Sequence, residues 1–187
     1  MENEETPLWK IHARGNLINL PFWRRIRYLL GNPDLVGKPV GKGPSGEPVF
    51  PNCHGTVIYL LGKEKYIEGP PMEPYTYPLN WVLQPGRPGH VDGNLMKKIL
   101  EKNSREDNFP EKGGVVGLWD DEFNWLVHSA VFSEFTDGRH IIFHQRNYKE
   151  KFEISSVEHY LENYPRYAVR YYSFIRQKKI NPEGKNS

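Results

Sequence analysis

One cysteine and two histidines are the residues of this chain best suited to nucleophilic chemistry. Cys53 is the single cysteine among 187 residues, and a thiolate is a strong nucleophile toward carbonyl carbon. A catalytic thiol needs a base within hydrogen-bonding reach and a third polar group that orients this base. His128 and His144 suit these two roles, because they lie in two segments that are predicted to be partner strands. The three residue types together would suit an activated thiol, although a strand histidine among apolar residues is equally explained as part of the core.

Cys53 is expected in the first turn of a helix. Asn52 is a good N-cap residue, and the apolar run 55–61 ends at Gly62. Backbone N–H groups and the helix dipole favour the thiolate at this position, so we expect a lowered thiol pKa. The same N–H groups are suited to stabilising an oxyanion, and Gly55 would allow another segment to approach closely. The competing interpretation is that Cys53 is a small buried apolar residue.

The helices and strands that must position these residues are predicted from the spacing of apolar residues. This spacing changes from helical to alternating along the chain. Apolar residues at helical spacing predict helices over 22–31, 53–61 and 94–102. Alternating residues later in the chain predict strands over 114–119, 125–132, 139–146 and 166–175. Helices followed by a strand meander indicate an α+β fold.

The connecting segments carry turn and cap signals. Asp137-Gly138 predicts a tight hairpin turn. Ser155, with Glu158 three residues later, predicts a capped helix that runs to about residue 164. The segments 31–51 and 63–91 are rich in glycine and proline and are expected to be loops. In the first helix a polar face is expected to be solvated: Arg24, Arg25 and Arg27.

The two histidines allow a test of strand register. With a two-residue Asp-Gly loop and regular pairing, Val131 faces His144, which leaves His128 and His144 on opposite faces of the sheet. A bulge or an odd loop brings both histidines to one face. The catalytic interpretation therefore predicts an irregularity between Phe132 and Ile142, whereas two core histidines require none.

The bulk composition limits the function classes. Hydrophobic residues make up 37% and charged residues 26% of the chain, and the net charge is +2, which fits one globular domain without a nucleic-acid footprint. One cysteine excludes an internal disulfide and a cysteine-based zinc site, and without a HExxH motif no metal or cofactor is expected. The acidic N-terminus lacks signal-peptide features, and no run of about 18 apolar residues predicts a membrane span. We therefore expect a cytoplasmic protein, or one exported without a visible signal peptide.

The ordered motifs resemble those of the NlpC-type peptidoglycan hydrolases, a branch of the papain-like cysteine peptidases. The resemblance covers roughly residues 35–150, and its motifs follow in order: PSG at 44–46, NCHG at 52–55, GGVV at 113–116, HSAV at 128–131, and His144. The family typically has Asp-Cys-Ser-Gly at the nucleophile, so this chain departs from it at Asn52 and His54.

The resemblance implies a fold, a site and a substrate class. It implies a papain-like antiparallel sheet packed against the cysteine helix, within a catalytic domain over 35–178, between an extension with a helix at 1–34 and a flexible tail at 179–187. It implies a Cys-His-His set of Cys53, His128 and His144. The residues expected on the substrate side are Asn52, His54 and Ser129. The expected substrate is a peptide or peptidoglycan fragment.

Two alternatives to this hydrolase remain open. The first is the same fold acting on another substrate, as a deamidase, a transglutaminase-like toxin or an acyltransferase. The second is a non-enzymatic binding domain in which Cys53 is merely buried.

Overall fold

The helices of the computed structural model largely follow the sequence pattern. The structure describes residues 22–43, 45–67, 81–84, 86–146 and 150–175; the predicted tail, most of the N-terminal extension and the centre of the predicted loop 63–91 lie outside these ranges. The described residues form four α-helices: α1 (Phe22–Gly31), α2 (Cys53–Leu61), α3 (Gly93–Asn103) and α4 (Val157–Asn163). The first three confirm predicted helices.

The start of α4 differs from its prediction by one residue. Ser155 pairs within a strand, and Ser156 is the N-cap, whose side chain accepts a hydrogen bond from the backbone N–H of His159. The predicted capping box is therefore wrong. Glu158 instead accepts from the backbone N–H of His140 at 2.9 and 3.0 Å, which ties α4 to the sheet.

The described strands form one large sheet and two small hairpins. The strands of the large sheet are β5 (Ser104–Asp107), β6 (Val115–Asp120), β7 (Trp125–Thr136), β8 (Arg139–Gln145), β9 (Phe152–Ser156) and β10 (Ala168–Phe174). They pair antiparallel in the order β5-β10-β6-β7-β8-β9. The hairpins are β1 (Gly41–Lys42) with β2 (Pro48–Val49), and β3 (Trp81–Gln84) with β4 (Arg87–Val91). The α+β class is confirmed.

Both hairpins lie in segments that were predicted to be loops, and that prediction is wrong for these residues. Strands β5 and β9 were also not predicted. Strand β5 has the sequence SRED, in which no apolar residues alternate. It forms a strand only because it pairs with β10. Short edge strands of this kind carry little local signal.

Apolar side chains pack on both faces of the sheet. Helices α1, α2 and α3 cover one face, where the core residues include Leu29, Ile58, Met96, Val131 and Phe143. Helix α4 covers the other face, with a smaller cluster that includes Val116, Leu118, Ala130, Ile142 and Tyr160. Neighbouring residues of β7 and β8 thus point into different layers, as strand geometry requires.

Arg25 of α1 is buried, so the expectation of a solvated position is wrong. Its side chain is 3% exposed. The guanidinium donates hydrogen bonds to the carbonyl oxygen of Tyr59 and, at 3.0 Å, to Glu64 Oε1, and it lies 5.0 Å from the centroid of the Tyr59 ring. Helix α1 is thereby joined to α2 by a satisfied buried charge as well as by apolar packing.

The predicted register irregularity between β7 and β8 is present. Near the turn, Glu134 pairs with Ile141, but the next pair is Phe132 with Ile142, so Ser133 is an extra residue. This bulge confirms the prediction. It shifts the pairing by one residue and turns His128 and His144 to the same face.

A second bulge lies on the other side of His128. Leu118 of β6 pairs with His128, and Trp119 pairs with Leu126, so Val127 is the extra residue. Bulges locally bend and twist a strand and re-aim its side chains. The segment of β7 that carries His128 is therefore bracketed by two such irregularities.

Candidate active site

His128 and His144 are in direct contact on the α4 side of the sheet. The Nε2 atom of His128 lies 3.0 Å from Nδ1 of His144, and the rings meet edge to face at 88°. Both side chains are almost fully buried, with 2% and 1% exposure. Strand β8 therefore supplies a polar partner to the β7 histidine, as the sequence predicted.

Tyr160 of α4 packs against both histidines of this pair. Its ring stacks on His128 with a centroid separation of 4.7 Å and an interplanar angle of 17°, and it meets His144 edge to face at 6.0 Å. Burial, together with the nearby Cys53, raises the pKa of Tyr160. Sequence analysis missed this contact, because nothing in a short helix indicates which strand residues it will cover.

Cys53 lies at the start of α2, and Asn52 fixes that start. The Oδ1 atom of Asn52 accepts hydrogen bonds from Gly55 N at 2.9 Å and Val91 N at 3.1 Å, while its Nδ2 donates to the Val91 carbonyl at 2.7 Å. A Cβ on Gly55 would lie 1.9 Å from the carbonyl oxygen of Gly89. The predicted cap and the predicted close approach are both present, and they lock α2 against β4.

The thiol of Cys53 does not have the lowered pKa that the sequence predicted. Burial raises the pKa of Cys53 to about 11, although the backbone N–H groups of Ser129, His54 and Cys53 act in the opposite direction. The pKa of the thiol rises because desolvation penalises the charged thiolate more than these dipoles stabilise it. Cys53 itself is half-buried, because it lies on the wall of a cavity, so burial and the helix N-terminus act on the pKa of this thiol in opposite directions.

His54 and Ser129, two of the residues expected on the substrate side, bond to each other. His54 Nδ1 lies 2.9 Å from Ser129 Oγ, and the side chains are 4% and 0% exposed. Burial lowers the pKa of His54 to about 4, so this imidazole is neutral at physiological pH. The pair connects α2 to β7 immediately beside Cys53 and His128.

Cys53 and His128 line the same cavity of about 350 Å³. The other residues of its wall are Asn52, His54, His90, Asp92, Gly93, Trp125, Val127, Arg146, Tyr160, Tyr164 and Tyr167. Tyr160, Tyr164 and Tyr167 stack in series at 4.9 and 5.8 Å and form an aromatic side of the cavity. Ser129 and His144 are not part of this wall. His144 instead lines a second cavity of about 240 Å³ on the side of α4, together with Arg146, Glu150, Ser155, His159, Tyr160 and Tyr164.

The described residues contain no group of three or more His, Cys, Asp or Glu side chains placed to hold a metal ion. Among the same residues, no helix is long and apolar enough to cross a membrane. Comparison of the chain with protein-family models, curated proteins and solved structures finds no significant match. The function is therefore inferred from the geometry of the site itself.

Proposed function

We propose that this chain is a cysteine hydrolase with a papain-like fold, which cleaves an amide bond through Cys53, His128 and His144. The observation that carries this proposal is the 3.0 Å contact between the ring nitrogens of His128 and His144. His128 also lines the same cavity as Cys53. An antiparallel sheet packed against a helix that begins at the cysteine supports the fold. A peptide or peptidoglycan fragment is the proposed substrate.

The perturbed pKa values suggest how the first step proceeds. Burial raises the pKa of Cys53, and burial with the neighbouring His144 lowers that of His128. The resting pair is therefore neutral thiol and neutral imidazole, and His128 acts as a general base during the attack. Because Nε2 of His128 faces His144, Nδ1 is the atom that receives the proton.

The proposed reaction has two acyl-transfer steps. The Cys53 sulfur attacks the amide carbonyl as its proton moves to His128, and N–H groups at the start of α2 stabilise the oxyanion. The carbon–nitrogen bond then breaks, and the leaving amine takes the proton from His128. Water, deprotonated by His128, attacks the thioester, and Cys53 leaves as a thiolate that recovers this proton.

One observation favours the alternative of a binding domain with an inert thiol. The pKa of Cys53 is raised, which is unlike a preformed thiolate, although the residue is half-buried and lines the cavity. A deamidase or an acyltransferase would use the same three residues and differ only in the substrate or the acceptor. The products of the reaction separate these alternatives.

The test is incubation with peptidoglycan fragments and, in parallel, a generic protein substrate, followed by mass spectrometry of the products. We expect new amines with the native chain, none with Cys53→Ala, and a rate at least about 10³-fold lower with His128→Ala. Glu162→Ala is the control, because this residue lies on α4 with 70% side-chain exposure. Cleavage that survives Cys53→Ala would refute the mechanism, and no cleavage by the native chain would favour the binding domain.

A further inference from the structure

The second ring nitrogen of His144, Nε2, lies near a residue that has no role in the mechanism proposed above. His144 Nε2 is buried and has no hydrogen-bond partner among the described residues. The Oε1 atom of Glu153 lies 3.4 Å from this nitrogen. Glu153 stands directly opposite His144 in the β8–β9 pairing, so both side chains lie on the same face.

The carboxylate of Glu153 is itself held in place. Arg146 Nε donates to the same Oε1 atom at 2.9 Å. His144 thus contacts His128, Tyr160 and Glu153, and Arg146 and His159 lie at longer range. Burial, with Arg146 and His159, lowers the pKa of His144 to about 4, so this ring is neutral at pH 7.

A neutral imidazole carries one N–H, and its position decides whether His128 is able to act as a base. Only one of the two facing nitrogens in the histidine pair is able to donate. If Nδ1 of His144 donates, His128 must carry its own proton on Nδ1, which then has no lone pair for the thiol proton. If His144 carries its proton on Nε2, His128 donates through Nε2, and its Nδ1 is basic.

We propose that Glu153 is a positioning residue whose carboxylate accepts the Nε2–H of His144 and so fixes the tautomers of both histidines. This inference rests on the proposed hydrolase function of the same site. Glu153 does not touch the substrate. It acts through His144, as the outer carboxylate partners of ligating or catalytic histidines do.

The experiment reads the histidine tautomers by ¹⁵N NMR of the ring nitrogens in the full chain. In the native chain we expect Nε2–H on both His144 and His128. Glu153→Ala should lose this single state and give a mixture, whereas Glu153→Gln should keep it, because an amide oxygen still accepts a hydrogen bond. Glu153→Val, which suits a strand, repeats the test if the alanine variant does not fold.

The matched control is Glu162→Ala. Glu162 makes a similar contact with His159, at 3.3 Å, but on the exposed face of α4. It should leave the tautomers and the rate unchanged. With a cleavable substrate, Glu153→Ala should lower kcat about 10- to 100-fold at constant KM, and Glu153→Gln should recover most of this loss.

Two results would overturn the inference: an Nδ1–H tautomer of His144 in the native chain, or identical tautomers in the native chain and in Glu153→Ala. The NMR measurement does not depend on activity. If the tautomers change as expected but the native chain cleaves no amide, Glu153 still positions the pair, and only the hydrolase proposal fails.

Discussion

At the scale of single residues, Cys53 shows how burial competes with a helix N-terminus. The dipole of a helix stabilises a charge in its first turn by about 0.3–1 kcal/mol. Removing a charged group from water costs several kcal/mol unless it is paired. The second effect is larger here, and the pKa of the thiol rises to about 11. The cap at Asn52 was predictable from the sequence, but the extent to which distant elements exclude water from the half-buried Cys53 was not.

The raised pKa of Cys53 leads to a prediction about its chemical reactivity. Only the thiolate reacts with iodoacetamide, so the alkylation rate of the folded chain should still be rising between pH 7 and pH 9. In urea the exposed thiol should react faster at pH 8 than in the folded chain. Intact-mass measurements over time give both rates. A plateau below pH 8 in the folded chain would show that the helix N-terminus outweighs burial.

At the scale of elements, the sequence predicted those parts of the fold whose structure depends on residues close together in the chain. The cap and stop of α2, the turn at Asp137-Gly138 and the alternation of β7 all have short-range causes. The bulge at Ser133 was also predictable, though only as a condition of bringing two histidines together. Strands β5 and β9 were not, because their residues become strands only when a long-range partner completes the ladder.

The contact of α2 with β4 leads to a prediction about stability. Gly55→Ala should lower the free energy of unfolding by more than about 2 kcal/mol, because its Cβ would lie 1.9 Å from a backbone oxygen that cannot move aside cheaply. Gly31→Ala, at the end of α1, is the control, since a Cβ there meets nothing within 4 Å. Urea unfolding compares the two variants. Equal stabilities would contradict the proposed close packing of α2 on β4.

At the scale of the whole molecule, three buried histidines make folding sensitive to acid. Burial is the first cause that lowers the pKa of His54 and of His144 to about 4, and it also lowers the pKa of His128. In the unfolded chain these rings titrate near pH 6.5. Below that pH the unfolded state binds protons that the folded state does not, so acid favours unfolding.

We therefore expect the free energy of unfolding to fall as the pH is lowered from 6.5 toward 5. Each histidine contributes at most about 1.4 kcal/mol per pH unit in this window. Urea titrations at several pH values measure the slope. His54→Gln should reduce this slope, because it removes one of the three buried rings. A stability that is constant from pH 7.5 to pH 5 would contradict the buried neutral state of these rings.

The sequence by itself determined the α+β class, the helix that begins at Cys53 and the hairpin of β7 and β8, and it made a bulge or an odd loop a condition of bringing the two histidines to one face. These features depend on periodicity, caps and turns, which act over a few residues. Only the tertiary structure decided that Tyr160 stacks on His128, that Glu153 faces His144 and that the Cys53 thiol is protonated at neutral pH. Contacts between distant elements, and the water that they exclude, set both the neighbours of a side chain and its charge.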